Sequence, residues 1–504
     1  MKICVLQPDY STSQVDYQYY DPRRDLSSLM PEADIDHVAL NKLTTYKQLK
    51  ELSKKGYDVF VNLCEGYLEW EIPSIDVIHT LELLNLPFTG PSSNLYDPPK
   101  PLMKYVAFCE GIKTAPYTLV TSLHDIKDAV KQLRFPLFVK PAKAGDSLGI
   151  DEHSRVNNEE ELRSKVESLL PDYDELLVEE FIAGREFTVL VAANAFPERS
   201  CTVFKPVEYV FPENRSFKTY ALKTSELHPD CNVPCSDTML EIQLKMASER
   251  IFNAFNGVGY ARLDFRVNDR NEIYFLEINF TCSVFYKDGY EGSADFVLKY
   301  DGIGQAGFLR HIVEEGMARH RRRQKKFRIK GNSISGYGIY ATEDIAAGEI
   351  IFKGEERSQR IVTRRFMENN WTEEQKENFR RYAYPLSSEV YVLWDDDPLQ
   401  WAPQNHSCDP NTYFDGLNVV TICPVGRGEE LTLDYATLLD KTAEPFECHC
   451  GSDNCRGVIK GIAGNSVTKR EKALGGARPK VQHKVSRKGV TPVFVKVANG
   501  RRKI

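Results

Sequence analysis

The first part of the chain alternates short apolar runs with a longer amphipathic stretch. Apolar runs occupy residues 2–7 (KICVLQ) and 57–63 (YDVFVNL), and residues 72–86 (IPSIDVIHTLELLNL) have helical spacing. Alternation of buried strands with helices is typical of an α/β layer with a parallel sheet. We therefore expect an N-terminal α/β domain over residues 1–96.

A second pattern begins after a proline-rich joint at residues 97–101 (DPPKP). Helical patterns there separate five strand-like runs, which are FPLFVKP, ELLVEEFI, EFTVLVAAN, GYARLDFRV and EIYFLEINF. These runs predict another domain of strands and helices over residues 97–312.

The pattern changes again after residue 312. Residues 313–330 are rich in Arg and Lys and read as a basic linker. Short strands, turns and aromatic residues follow, with one evident helical run (WTEEQKENFRRYA), and predict a mostly β domain over 331–440. A cysteine-rich segment at 441–460 and a basic tail at 461–504, which we expect to be disordered, complete the chain.

Composition indicates a folded protein of several domains. The chain has 504 residues, of which 42% are hydrophobic and 27% charged. It contains no apolar run long enough for a membrane span, and its opening apolar run is short. With twelve cysteines and no evident secretory signal, we expect an intracellular protein of the cytoplasm or nucleus, without a membrane partner.

Charge is distributed unevenly. The net charge is −7, although residues 317–330 carry eight Lys and Arg without an acid, and residues 461–504 carry twelve against Glu471 alone. Such clusters can be nuclear-import signals or nucleic-acid contacts, the tail above all. A solvated linker and tail explain them equally well.

The most informative stretch is 261–279, which reads as a hairpin centred between Arg270 and Asn271. That centre places Asp264 opposite Glu277 and Arg262 opposite Asn279. Since side chains alternate along a strand, all four project from one face. Oxygen donors beside a cation suit Mg²⁺ and phosphate, whereas the competing interpretation is a surface salt-bridge cluster.

Two further segments add nucleotide chemistry. Lys140 ends an apolar strand and precedes a loop of small residues that includes Ser147, so that backbone N–H groups and a cation can meet a phosphate. Glu179 and Glu186 follow seven residues apart, a spacing suited to adenine and ribose contacts.

Together, residues 1–310 resemble the ATP-grasp superfamily, in its D-alanine–D-alanine ligase branch. The resemblance implies a three-layer α/β fold with antiparallel sheets and ATP-driven joining of a carboxylate to an amine. It implies phosphate contacts from Lys104, Lys140 and Lys223, adenine and ribose contacts from Glu179 and Glu186, and Mg²⁺ ligands at Asp264, Glu277 and Asn279. Arg262 would stabilise the transferring phosphoryl group.

The amino-acid pocket departs from that family. The positions that hold D-alanine there read Tyr10-Ser11-Thr12-Ser13, Asp146, Thr224 and Thr281-Cys282-Ser283-Val284 here. We therefore expect another small carboxylate or a peptide as the substrate, rather than D-alanine.

Cysteine spacing after residue 400 predicts a zinc site. The segment Cys448-x-Cys450-x4-Cys455 brings three thiolates together, and Cys408 would complete a tetrahedral Cys₄ set. Ordinary free thiols are the alternative. Cys231 and Cys235 offer too few neighbouring ligands for a second site.

Ordered motifs around these cysteines resemble the SET-domain protein lysine methyltransferases with a post-SET segment, over about residues 328–460. The motifs are Gly336-Tyr337-Gly338, Asn405-His406 with Cys408, Tyr435 and the CHCGSDNCRG run. The resemblance implies that the first two motifs hold S-adenosylmethionine and that Tyr435 orients a protein lysine. Tyr337, Tyr382, Tyr384 and Phe446 are candidate aromatics of the lysine channel, and a place in the core explains Tyr382 and Tyr384 equally well. The Ala402-Pro403-Gln404 run and Leu433 depart from the family pattern.

We interpret the chain as an ATP- and Mg²⁺-dependent ligase-like half fused to a zinc-containing methyltransferase half. Methyl transfer to a protein lysine is the leading function. Two alternatives stay open: the ligase is the principal activity, or the first half is a non-catalytic ATP-binding docking module.

Overall fold

A computed structural model describes residues 1–14, 19, 21–65, 71–143, 148–196, 200–212, 216–218, 229–332, 336–353, 359–387, 389–394, 404–439 and 444–462. The chain divides into two compact units, residues Met1–Gln324 and Lys325–Ile504. We call these the first and the second unit.

The strands of the first unit are β1 (Lys2–Pro8), β2 (Asp34–Leu40), β3 (Val59–Asn62), β4 (Tyr117–Val120), β5 (Leu137–Pro141), β6 (Arg155–Val156), β7 (Leu176–Glu180), β8 (Arg185–Ala193), β9 (Cys201–Val203), β10 (Val207–Tyr209), β11 (Asn232–Pro234), β12 (Tyr260–Val267) and β13 (Ile273–Asn279). Its described helices are α1 (Thr45–Leu52), α2 (Ile75–Leu83), α3 (Lys100–Cys109), α4 (Ile126–Gln132), α5 (Glu159–Leu169), α6 (Thr238–Ala254), α7 (Ser293–Asp301) and α8 (Gly304–Arg323).

A parallel sheet begins the first unit, in the order β2-β1-β3, as the opening pattern predicts. β3 is buried along its whole length and the middle of β1 is buried too, which explains their continuous apolar runs. Apolar side chains of α1 and α2 pack against this sheet.

Two antiparallel sheets follow. The smaller has the order β4-β7-β5-β6 and packs on α4 and α5. The larger has the order β11-β10-β8-β12-β13, with β9 paired to β8, and α6 covers one of its faces. These sheets match the antiparallel α/β fold expected for an ATP-grasp domain.

The expected basic linker is corrected over its first half. Residues up to Arg323 form the end of α8, which is a packed helix because apolar side chains such as Ile312 and Val313 lie in the core. Arg319 is only 5% exposed and donates hydrogen bonds to the carbonyls of Phe88 and Gly90. The Arg319 side chain is therefore part of the packed first unit and not of a solvated linker.

The second unit consists of small sheets and short helices. Its strands are β14 (Phe327–Asn332), β15 (Gly336–Ala341), β16 (Ile350–Phe352), β17 (Gln359–Thr363), β18 (Tyr384–Pro385), β19 (Val390–Trp394), β20 (Asn405–His406), β21 (Thr412–Asp415), β22 (Asn418–Thr421), β23 (Thr432–Leu433), β24 (Phe446–Glu447) and β25 (Val458–Ile459). Its described helices are α9 (Arg364–Asn370), α10 (Glu373–Tyr382) and α11 (Tyr435–Leu438).

Two pairings in the second unit position the candidate chemistry. β20 lies parallel to β23, so that Asn405 and His406 lie next to the strand that leads into Tyr435. The predicted helical run is α10, which begins at a capping box between Thr372 and Gln375. α9 precedes it and was not anticipated. Among the helices of the described residues, none combines the length and apolarity needed to cross a membrane.

Candidate functional site

The hairpin β12–β13 brings the expected metal ligands together in the expected register. Asp264 pairs with Glu277, and Arg262 pairs with Asn279. Nearer the turn the pairing shifts by one residue, because Leu276 is an extra residue on β13. The bulge therefore brings both pairs into alignment.

Asp264 is buried and already oriented. Its Oδ1 accepts a hydrogen bond from the Thr188 hydroxyl at 2.8 Å, and its Oδ2 lies 3.0 Å from Nη2 of Arg262. The Asn279 side-chain oxygen accepts from the Thr281 N–H at 2.8 Å. Carboxylate and amide oxygens held in this way fit the preference of Mg²⁺ for hard, pre-oriented ligands.

A buried carboxylate, Glu179, bridges two lysines. Each Glu179 oxygen lies 2.6 Å from an ammonium group, one of Lys104 and one of Lys140. Burial alone would raise the pKa of Glu179, but the two ammonium groups outweigh burial and lower it to about 2. The three side chains therefore form a charged cluster at the expected phosphate end of the site.

Sequence reasoning missed Lys100. This lysine is buried one helical turn before Lys104, and its Nζ lies 3.8 Å from Oε2 of Glu277. Lys104 faces Glu179 instead, so Lys100 is the ammonium group beside the expected metal ligand. The i, i+4 spacing of the two lysines at the start of α3 was the available signal.

Glu186 lies among cations. Its carboxylate is 3.0 Å from Nη2 of Arg266 and 3.4 Å from Nζ of Lys218. The Arg266 guanidinium also lies over the rings of Phe181 and Phe211. The expected ribose contact is thus a paired carboxylate beside aromatic rings.

Two residues from the segments that depart from the D-alanine pocket belong to a polar network. Arg24 is buried and donates to Oε1 of Glu65 at 3.2 Å, while Ser283 donates to Oε2 of Glu65 at 2.5 Å. The Tyr10 hydroxyl donates to Asp21, which lies 3.3 Å from the Arg24 guanidinium. Residues of both departing segments, Tyr10 and Ser283, therefore belong to one charged network.

Several expected residues lie outside the part of the chain that the structure describes. They are Ser147 and Lys223 of the phosphate site, Asp146 and Thr224 of the substrate pocket, and the tail from residue 463 onward. The side chain of Tyr382 is likewise not described.

In the second unit, Gly338 meets two polar side chains. A Cβ at Gly338 would lie 2.0 Å from Oε1 of Glu430 and 2.8 Å from Nδ2 of Asn405. Nδ2 of Asn405 donates to the Tyr337 carbonyl at 2.8 Å and to Glu430 at 2.6 Å. These contacts tie the Gly336-Tyr337-Gly338 strand to the Asn405-His406 strand, and Glu430 is a member that sequence reasoning missed.

Tyr435 is held at both ends. Its hydroxyl donates to the Gln404 carbonyl at 2.7 Å, and its backbone N–H donates to Nδ1 of His406 at 3.1 Å. Its ring centre lies 6.1 Å from that of Phe446. Tyr435 is thus a fixed phenol beside the Asn405-His406 pair.

The hydrogen bond to His406 fixes its tautomer. A backbone N–H can only donate, so Nδ1 carries no hydrogen, and burial, which lowers the pKa of His406, favours the neutral ring. The ring hydrogen is then on Nε2, which faces Sγ of Cys408 at 3.4 Å. In this arrangement Nε2 can donate to the sulfur, while it also lies among the possible ligand atoms of the cysteine cluster.

Cysteine side chains gather beside His406. Ligand atoms of His406, Cys408, Cys448 and Cys450 all lie within 4.8 Å of one another. Cys455 lies next to this group, with its thiol 3.7 Å from the Cys448 carbonyl. Such a cluster is compatible with a zinc site.

The candidate channel aromatics differ in their surroundings. Phe446 contacts both Tyr435 and His406. Tyr384 is buried and stacks on Phe414, which agrees with a position in the core. Tyr337 is 65% exposed.

Two family models match this chain. The D-ala D-ala ligase C-terminus matches residues 107–284, and the SET domain matches residues 336–436. The first range includes Lys140, Glu179 and the β12–β13 hairpin, and the second includes Gly338, Asn405, His406, Cys408 and Tyr435. Lys100, Lys104, Cys448 and Cys450 lie outside the matched ranges.

Curated relatives match the first unit. A D-alanine–D-alanine ligase of Legionella pneumophila (strain Corby) is 31% identical over 260 residues, which are 48% of this chain and 68% of that protein. Another, of Staphylococcus carnosus (strain TM300), is 29% identical over 265 residues, which are 49% of this chain and 69% of that protein.

A solved D-alanine–D-alanine ligase of Bacillus anthracis in complex with ATP aligns with 64% of this chain and 100% of its own, at 19% identity and a TM-score of 0.46. The assignment depends on the family models and the relatives in sequence. This chain belongs to the D-alanine–D-alanine ligase family through its first unit and carries a SET domain in its second.

Proposed function

We propose that the second unit transfers a methyl group from S-adenosylmethionine to a lysine amine of a protein. The observation that carries this proposal is the fixed Tyr435 phenol, whose hydroxyl lies 2.7 Å from the Gln404 carbonyl. A lysine amine needs a held oxygen to align it for in-line attack, and Tyr435 offers that oxygen next to Asn405 and His406.

Different residues of the chain would bind the methyl donor and orient the lysine amine. Bound S-adenosylmethionine supplies a methyl group on a sulfonium that leaves as a neutral thioether. Gly336, Tyr337, Gly338, Asn405 and His406 would hold the donor, and the contacts of Asn405 keep their two strands together. Tyr435 would orient the uncharged amine, which forms the new N–C bond and releases its proton to water.

The test is transfer of labelled methyl to a protein mixture by the full chain, followed by acid hydrolysis and amino-acid analysis. Methyl-lysine is the expected labelled product. Label on another residue, or no label with the donor bound, would contradict the proposal.

For the zinc site we propose the four ligands Cys408, Cys448, Cys450 and Cys455. The His406 tautomer supports this set, because an Nε2 that carries hydrogen cannot ligate. Cys455 lies next to the cluster and would supply the fourth thiolate. In this set His406 would be an outer contact that orients the Cys408 sulfur.

For the first unit we propose an ATP- and Mg²⁺-dependent carboxylate–amine ligase-like activity. Asp264, Glu277 and Asn279 would hold the metal, and Arg262 would face the transferring phosphoryl group. Lys140 and Lys104 would meet the phosphates, and we add Lys100, which lies beside Glu277. Its acid substrate is another amino acid or a peptide, because the charged network at Arg24 and Glu65 includes the segments that depart from the D-alanine pocket.

Glu277→Gln tests this proposal by removing one charge while keeping the shape of the side chain. We expect at least tenfold slower Mg²⁺-dependent phosphate release across a panel of carboxylic acids, with D-alanine inactive for both proteins. Glu272→Gln is the matched control, because Glu272 lies at the exposed turn of the same hairpin and pairs with Lys113. ATP binding without stimulation by any acid would favour the docking-module alternative.

A further inference from the structure

The Cys408 sulfur receives hydrogen bonds from two residues outside the cysteine cluster. Arg456 donates to it twice, from its backbone N–H at 3.3 Å and from Nε at 3.4 Å. His406 donates from Nε2 at 3.4 Å. Three N–H groups therefore surround this sulfur and fix its direction.

Arg456 and His406 also contact the start of α11. The Arg456 Nη2 forms an ion pair with Oδ1 of Asp434, which caps α11 by accepting from the Ala436 N–H at 3.0 Å. His406 accepts the Tyr435 N–H on Nδ1. Two parallel bridges therefore join the Cys408 sulfur to the backbone at residues 434–436.

These bridges can fix the position of Tyr435, because they end on backbone groups at the start of its helix. α11 has only four residues and cannot form without help from its surroundings. Asp434 and Nδ1 of His406 accept hydrogen bonds from N–H groups of its first turn. Asp434 is held by Arg456, and both Arg456 and His406 contact the Cys408 sulfur. A shift of this turn by 1 Å would misplace the Tyr435 hydroxyl relative to an amine.

We infer that Arg456 is a positioning residue for Tyr435, and that with His406 it links occupancy of the cysteine site to methyl transfer. The inference rests on the proposed methyl transfer. It assigns Arg456 no contact with donor or acceptor, since it acts through Asp434 and Cys408.

Arg456→Lys tests the inference because lysine keeps the charge but cannot reach the sulfur and Asp434 together. We expect a kcat about tenfold lower, with KM for S-adenosylmethionine within about twofold and bound zinc unchanged. Asp434→Asn keeps a capping side chain and should have a similar effect. The double variant should be no slower than either single variant, since both break one bridge.

A second measurement does not depend on activity. Hydrogen exchange at the amides of residues 435–437 should be about tenfold faster in Arg456→Lys than in the wild type while zinc stays bound. Arg427→Lys is the matched control, because Arg427 is an exposed arginine of the same unit. It should change neither exchange nor kcat.

The outcomes separate this inference from the proposed function. Unchanged kcat and unchanged exchange in a zinc-loaded Arg456→Lys would overturn the inference alone. Loss of zinc together with activity would also overturn it, because Arg456 would then serve metal retention. No methyl transfer by the wild type would contradict the proposed function, and faster exchange in the variant would still support the bridge itself.

Discussion

At the scale of single residues, burial decides the charge of Glu65. Burial raises the pKa of this carboxyl to about 7, and the Arg24 guanidinium only partly opposes the rise. Between its ordinary value of 4.5 and about 7, the folded chain binds the proton more readily than the unfolded chain. The contribution of Glu65 to stability therefore falls as pH rises through this window.

Glu65→Gln should remove that pH dependence. We expect the free energy of unfolding of the variant minus that of the wild type to be about 2 kcal/mol more positive at pH 8 than at pH 5, so that the variant gains stability relative to the wild type as pH rises. Urea unfolding at both pH values measures it. The exposed Glu51→Gln is the control, and a relative stability of Glu65→Gln that does not change with pH would contradict the account.

Residue identity was predictable where the chemistry lies in a short segment. Asp264, Glu277, Arg262 and Asn279 could be paired from the sequence because a hairpin relates neighbouring residues. The position of Lys100 beside Glu277 could not, since it depends on how α3 packs against β13. The tautomer of His406 likewise requires the contact with Tyr435.

At the scale of elements, the hairpin shows how an irregularity escapes sequence patterns. A symmetric hairpin places Asp264 opposite Glu277 only if its centre lies between Arg270 and Asn271. The structure has Val267 opposite Ile273, which moves the centre by half a residue, and the bulge at Leu276 restores the alignment. A bulge of one residue cannot be detected from the pattern of hydrophobic residues.

The strands β24 and β25 each have two residues, too few to be stable alone, and the cysteine loop joins them. Cys450→Ser should therefore reduce bound zinc from one ion per chain and lower the melting temperature of the second unit by about 5 °C or more. Elemental analysis and calorimetry measure this. Cys423→Ser, an exposed cysteine of the same unit outside the cluster, should change neither. Active wild-type protein without zinc would contradict the ligand set.

At the scale of the whole molecule, the two units are compact bodies with their own cores. Sequence patterns predicted the order of their folds, because the alternation of strands and helices changes along the chain. They misplaced the start of the linker, since the arginines of α8 conceal its buried face.

Separate expression tests the division of the chain. A fragment of residues 1–324 should fold and bind ATP with an affinity within about threefold of the full chain. A fragment of residues 1–312 should lose a buried part of α8, including Val313 and Arg319, and unfold at lower urea. Equal stability of the two fragments would contradict the packing of α8.

The central claim is that the second unit transfers methyl groups by means of Tyr435. Its most direct test measures donor affinity by calorimetry and methyl incorporation on the same samples of wild type, Tyr435→Phe and the control Tyr413→Phe. We predict that Tyr435→Phe binds S-adenosylmethionine within about twofold of the wild type and transfers methyl at least 100-fold more slowly, because the hydroxyl orients the amine and not the donor. Undiminished transfer by Tyr435→Phe would contradict the account.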